Sequence, residues 1–430
     1  MAAIGQHGNF NQQGPADEQH SSDPLSPAES DQWMQGFPPS QGKLIRFADL
    51  PDLKYPAHRW LYSHWRELVP TTAVWRGHQA SAALPEALAD LDDFAFDDPS
   101  GGRCTLAQAL ELSATDGLLI LQDGKVLFER YAGELHPERQ HRCFSVTKSF
   151  VGLMATQLIH QGGLDPEASV ISYLPELSAS GWSNASVSQV LDMVLNLAFD
   201  ENYENPESDA AKARLANGSL PRPAGYRGPT SICEYLQSVK AGGPHDQGFS
   251  YITPNTNVLA WILQRVTGKP LATLLSEMIW QKIGAEQVGY FSIDELGMAD
   301  AGGGLCVTLR DLTRFGEMIR NGGRAQGQQV IDPAVVADIC RGADRDKFRH
   351  AGYTMFDGWS YHNQWWISHD RHDAIRALGI YGQQLYIAPK AALVIARFGS
   401  QRVAVDERIE KLLMSAFEAL AAAAREGDLH

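Results

Sequence analysis

The segment GLLILQDGKVLFERY, residues 117–131, limits the folds open to this chain more than any other stretch. Two strand-like runs flank Asp123-Gly124, the pair that a tight type I′ hairpin turn wants, because both central residues of that turn need positive φ. A second candidate hairpin lies far downstream in QQLYIAPKAALVIARFGS, turning near Pro389-Lys390. It is followed by a helix over about 405–424, where Ile409, Leu412, Leu413, Ala416, Phe417 and Leu420 recur at helical spacing. Between these ends residues 145–320 read as mostly helical, with breaks at QGGLDP and ENPES. The stretch NTNVLAWILQRVTGK sets Val258, Leu259, Ile262, Leu263 and Val266 on one face and closes at Gly268, a helix-ending glycine. The expected architecture is therefore an α/β (α+β) domain closed by the two chain ends, with a largely helical domain inserted in it. The α/β part takes about 80–160 and 300–425, the helical part about 161–299.

Composition narrows what such a chain can do. Its 430 residues, 44% hydrophobic and 20% charged, suffice for one large core or two domains. A net charge of −15 excludes a general affinity for nucleic-acid backbone or anionic membrane. Cys104, Cys143, Cys233, Cys306 and Cys340 are scattered without a CxxC pair, which reads as reduced thiols rather than a disulfide framework. Residues 1–30, rich in Gln, Ser, Pro and Gly, read as a disordered tail with no basic and apolar leader pattern. No run of 18 apolar residues occurs. The expectation is a cytoplasmic protein. Trp33, Phe37, Trp60, Trp65 and Trp75 are expected to pack the arm after the tail onto the body.

HRCFSVTKSF, residues 141–150, breaks a local rule. Ser145 could simply cap the helix VTKSFVGLMATQLIHQ. A capping box would then place Glu or Gln at 148, yet the residue is Lys148, a cation beside the positive end of the helix dipole. At spacing i, i+3 the two side chains share a face. A lysine whose pKa is lowered by burial can activate the serine hydroxyl as a nucleophile. Ser40 and Lys43 repeat the spacing, but SQGK follows Pro38-Pro39, holds a Gly and is not expected to open a helix. The copy at 145 follows a hairpin and starts a long amphipathic helix. Tyr251 stands just before the helix at 255–268, and ALGIYGQQLYIAP at 377–389 carries Gly379 and Gly382 in a strand. Taken singly, these are a core tyrosine and ordinary strand glycines, or else a proton carrier and a backbone that approaches a ligand closely.

Together the three segments resemble the motifs of the β-lactamase and penicillin-binding superfamily, with its β-lactamase/transpeptidase-like fold: an antiparallel sheet flanked by helices. QWMQGFPP, RELVPT, SVTKS, ENYENP, NTNVLAWILQRVTG, NQWW and GIYGQ are similar to the 6-aminohexanoate-dimer hydrolases, which share that fold with class C β-lactamases and carboxylesterases. The similarity runs from about residue 33 to 400. It implies Ser145 as nucleophile, Lys148 as activator and Tyr251 as proton shuttle. It implies an oxyanion hole of the Ser145 and Ile380 backbone N–H groups. Tyr203, in the loop FDENYENP, matches a tyrosine that bonds the scissile amide nitrogen, and Tyr381 stands where relatives can carry His. It also implies a small-molecule acyl substrate, a homodimer, and no metal or organic cofactor. No HExxH spacing and no G-x-S-x-G elbow occurs among the motifs.

The chain departs from its relatives in three places. Thr253 holds the place of an Asn in the second motif, no Lys-Thr-Gly triplet occurs, and Arg214 falls where an aspartate can bind a substrate amine. Like charges ~4 Å apart cost roughly 4 kcal/mol at an effective dielectric of 20. Short neutral esters should therefore be cleaved well and the amino-terminated nylon dimer poorly. Two rivals stay open: a β-lactamase or D-alanyl-D-alanine peptidase-like enzyme, and a non-catalytic module that holds a ligand in the same cleft.

Overall fold

The computed structural model describes residues 33–429. The tail expected over residues 1–30 lies outside the described residues. The hairpin forms as its sequence requires: β1 (Thr115–Gln122) and β2 (Lys125–Tyr131) join through Asp123 and Gly124 at φ +48° and +76°. Five later strands complete the sheet: β3 (Ser360–His362), β4 (Trp365–Ile367), β5 (Ile375–Gly379), β6 (Gln383–Ala388) and β7 (Leu393–Gly399). The order is β3-β4-β5-β6-β7-β1-β2, antiparallel throughout. The two chain ends meet where β7 pairs with β1, from Leu393 opposite Gln122 to Arg397 opposite Leu118.

Four helices matter for the site: α1 (Val146–His160), α2 (Pro254–Thr267), α3 (Leu309–Arg320) and α4 (Glu407–Glu426). Side chains alternate across a strand, so a sheet covered on both faces reads as an unbroken apolar run. In β1, Leu118 and Ile120 join the core beneath α4 with Phe417 and Leu420. Leu119 and Leu121 join the core on the opposite face with Phe150 of α1 and Phe315 of α3. Between 161 and 299 the elements are chiefly short helices and α2, with one two-stranded ladder, Leu197–Ala198 against Lys240–Ala241, and one further strand, Gly289–Ser292. Among the described residues no helix is long and apolar enough to cross a membrane.

Several sequence expectations are corrected. A second antiparallel sheet, ordered Thr71–Val74, Gly289–Ser292, Leu305–Val307, His141–Arg142, was not expected. Its last three strands are only two to four residues long and buried throughout, so no alternation marks them. Helix α1 is not amphipathic: it is buried continuously from Val146 to Gln157, as befits a helix enclosed on all sides. Trp60 and Trp65 pack as expected, but Phe37 and Trp75 are exposed. Ser40 does precede a helical turn, though only a three-residue 3₁₀ turn over Gln41–Lys43.

Candidate active site

The short strand His141–Arg142 leads the chain into Phe144, which takes φ +45°, and so into Ser145 at the start of α1. Ser145 is itself helical (φ −67°, ψ −8°), and its side chain makes no capping bond. Its Oγ instead accepts a hydrogen bond from Lys148 Nζ at 2.8 Å. The same ammonium donates to the Gly302 carbonyl at 2.6 Å. Lys148 is 1% exposed. Burial pushes its pKa down to about 8, against the opposing fields of Glu201 and Asp300. Charge at the helix start and desolvation both favour the neutral amine, which is the form that can take a proton from Ser145.

Tyr251 completes the group. Its phenol is hydrogen-bonded to the Ser145 side chain, and burial raises it above the ordinary phenol range, so it keeps its proton. The ring stacks on Trp366 at 5.4 Å between centroids. Lys148 Nζ lies 5.1 Å from the Tyr251 ring centroid. From the other side, the end of β5 runs against the serine. A Cβ at Gly379 would sit 2.8 Å from the Cys143 carbonyl and 3.1 Å from the Ser145 amide nitrogen, an approach that only glycine allows. Neither the Ser145 nor the Ile380 amide has a backbone partner among the described residues. Tyr381, at φ +62°, donates its own amide to the Ala404 carbonyl at 2.8 Å and packs its ring beside His58, Tyr62 and Phe144.

The residues that sequence reasoning missed are Glu201 and Gly302. The Glu201 carboxylate accepts from the Thr253 amide at 3.0 Å and from the hydroxyls of Thr253 and Tyr203. Its signal was its place two residues before Tyr203 in FDENYENP, an acid beside an expected site residue. Thr253, read only as a departure, turns out to be the partner that orients this acid. Gly302 serves through its carbonyl, 154 residues from Lys148, and no side-chain pattern announces it.

A cleft opens on Ser145 in two lobes. The smaller, about 160 Å³, is lined by Tyr251, Tyr353, Phe356, Trp366 and Leu378. The larger, about 930 Å³, carries Tyr62, Arg142, Glu201, Arg214 and Tyr381. Ser145, Tyr203 and Ile380 line both. The structure thus gathers every expected site residue at one cleft, with Lys148 lying behind Ser145 rather than on the wall.

Fold and site together are those of a serine hydrolase with the β-lactamase/transpeptidase-like architecture. The chain belongs to the β-lactamase family, whose model matches residues 109–415. It is 35% identical over 346 residues to a 6-aminohexanoate-dimer hydrolase of Paenarthrobacter ureafaciens, covering 80% of this chain and 86% of that one. A solved Bacillus anthracis protein, assigned as a 6-aminohexanoate-dimer hydrolase, superposes with a TM-score of 0.82 at 32% identity, over 90% of this chain and 98% of its own. A family VIII carboxylesterase shares the fold at a TM-score of 0.52 and 16% identity, over 70% of this chain and 92% of its own.

Proposed function

We propose that this hydrolase cleaves small-molecule esters and linear amides through an acyl-enzyme on Ser145. The observation that carries the reading is the 2.8 Å contact between Ser145 Oγ and a buried Lys148 whose pKa is lowered to about 8. In its neutral form Lys148 takes the hydroxyl proton as Oγ attacks the carbonyl carbon. The backbone N–H groups of Ser145 and Ile380 receive the oxyanion, where one such donor contributes about 2.7–4 kcal/mol. Tyr251, still protonated, gives its proton to the leaving oxygen or nitrogen, with Tyr203 positioning that atom. Water then attacks the acyl-enzyme and the same pair of groups returns the serine to rest.

The enzyme is proposed to work as a cytoplasmic homodimer on a small acyl compound, without metal or organic cofactor; light scattering on the purified protein tests the dimer. A fluorophosphonate probe followed by peptide mass spectrometry tests the chemistry. Label is expected on Ser145 and nowhere in Ser145→Ala, while Ser40→Ala labels normally. Label on another serine overturns the assignment. Turnover of p-nitrophenyl esters without turnover of nitrocefin separates this reading from a β-lactamase, and any ester turnover separates it from a ligand-holding module.

A further inference from the structure

Arg214 lies in the last turn of the helix Asp209–Ala216 and lines the larger lobe. The other cation of that helix, Lys212, pairs with Asp209 at 2.9 Å. The Arg214 guanidinium, half-buried, makes no ion pair and no hydrogen bond with any described residue. It nevertheless faces the lobe: burial raises the Tyr381 phenol, and Arg214 is the largest influence opposing it. Arginine in a last helical turn favours the helix dipole by about 0.3–1 kcal/mol, but that role does not require a guanidinium left unpaired in a cavity.

Of the other charges around this lobe, Asp52 and Lys54 are exposed to solvent, and the rest are engaged or stacked. Arg142 donates to the Gly303 carbonyl at 3.1 Å, lies 4.0 Å from Asp300 and is held between the rings of Trp65 and Phe144. Asp300 accepts from Asn217 at 3.2 Å, and Glu201 is taken up by Thr253 and Tyr203. Glu204, exposed, accepts the Ala404 amide at 3.3 Å and is not within ion-pair distance of Arg214. Arg402 is exposed and lies over the Tyr55 ring. The forked, always-charged guanidinium of Arg214 is suited to bidentate contact with a planar carboxylate.

Orientation follows from the two lobes. Tyr251, the leaving-group proton donor in the function proposed above, lines only the smaller, aromatic lobe. The leaving group therefore lies there, and the acyl chain extends into the lobe that holds Arg214. Resting on that reading of Ser145 and Tyr251, we propose that the acyl portion of the substrate ends in a carboxylate bound by Arg214, so that the enzyme acts on half-esters or half-amides of dicarboxylic acids.

Three p-nitrophenyl esters of equal chain length test this: the hydrogen hexanedioate, the hexanoate and the 6-aminohexanoate. The half-ester is expected to exceed the neutral ester in kcat/KM by roughly tenfold, chiefly through KM, with the cationic ester slowest. In Arg214→Gln the ratio of half-ester to neutral ester should fall to about one, and Arg214→Lys should restore part of it. A wild-type enzyme without preference for the half-ester, or a preference that survives in Arg214→Gln, overturns the proposal while leaving the serine hydrolase intact. A second measurement is independent of turnover: calorimetric binding of hexanedioate to Ser145→Ala, expected to weaken roughly tenfold when Arg214→Gln is added. If no ester is turned over but this binding behaves as expected, the acyl-enzyme reading fails and the carboxylate site stands. Absent or Arg214-independent binding overturns the site.

Discussion

At the scale of residues, the pair that sequence made legible is the one that breaks a rule. Lys148 in a first helical turn has no structural advantage, so its presence pointed to Ser145; Glu201 and the Gly302 carbonyl break no rule, and only the fold brings them there. Their physical effects are separable. Glu201 raises the Lys148 pKa and burial lowers it to about 8, so the fraction of neutral amine, and with it kcat/KM on a neutral ester, should rise with pH through about 8. Glu201→Gln removes a negative field and should move that rise to lower pH; an unmoved profile would exclude Glu201 as a modulator of the base. Stability carries a mark of the same group. Between about pH 8 and 10.5 the unfolded chain holds the lysine proton that the folded protein has lost, so folding stability climbs with pH across that window. The full effect is about 3 kcal/mol, from roughly 1.4 kcal/mol for each unit of pKa. Lys148→Met should abolish ester hydrolysis, flatten this climb and leave the protein at pH 7 no less stable than the parent. Urea unfolding at pH 7, 8.5 and 10 measures it, and a Met variant that keeps the wild-type climb would place the titration elsewhere.

At the scale of elements, what the sequence revealed were the segments with a period and a stop signal: β1 and β2 around Asp-Gly, β6 and β7, α2 up to Gly268, and α4. What it hid were connections made by single side chains. The turn between β3 and β4 uses Asn363 and Gln364 at φ +50° and +68°, without the glycine that would have marked it. Gln364, 1% exposed, donates through Nε2 to the Val190 and Leu191 carbonyls at 3.2 and 2.8 Å, and its Oε1 accepts from Thr256 at 2.6 Å. Its carbonyl accepts from Ser149 at 2.8 Å. One residue therefore ties the sheet to α1, to α2 and to the helix Val187–Leu191, the elements that carry Ser145 and follow Tyr251. Gly152 of α1 has no room for a Cβ, because one would clash with the Asn363 carbonyl and the Gln364 side chain. Gln364→Ala takes the acceptor from the buried Thr256 hydroxyl, an unpaired group that costs about 1–3 kcal/mol, and removes one of two donors from each of the Val190 and Leu191 carbonyls. A loss of about 2–4 kcal/mol in urea unfolding is expected, together with a lower kcat; a loss below 1 kcal/mol would mean that water replaces the side chain and that the turn alone sets the spacing.

At the scale of the whole molecule, the pairing of β7 with β1 joins residues 393–399 to 115–122, so the sheet cannot close until the last strands have been made. The long-range pairing was legible because each partner is apolar on both faces; the second sheet was not, because strands of two to four residues, most of them buried, leave no period to detect. The closed sheet then divides the work. Its one face supports α1, which begins at Ser145 and holds Lys148, while α4 covers most of the other. Only the first turns of α4 approach the cleft, through Glu407 and Glu410. Phe417, fully buried two turns further on, packs with its ring centroid 5.9 Å from that of Tyr386. Phe417→Ala should cost about 3–5 kcal/mol by transfer and cavity terms, read as a lower urea midpoint. Activity per folded molecule, counted by fluorophosphonate titration at low temperature, should stay within about twofold of the parent, because Phe417 packs in the core beneath α4, apart from the aromatic cluster that holds Tyr251 and Trp366. Lys148→Met and Phe417→Ala then form opposite corners of one test: the first inactivates without destabilising, the second destabilises without inactivating. Should Phe417→Ala lower turnover per titrated site tenfold, the two faces of the sheet are mechanically coupled, and α4 belongs to the active site rather than to its support.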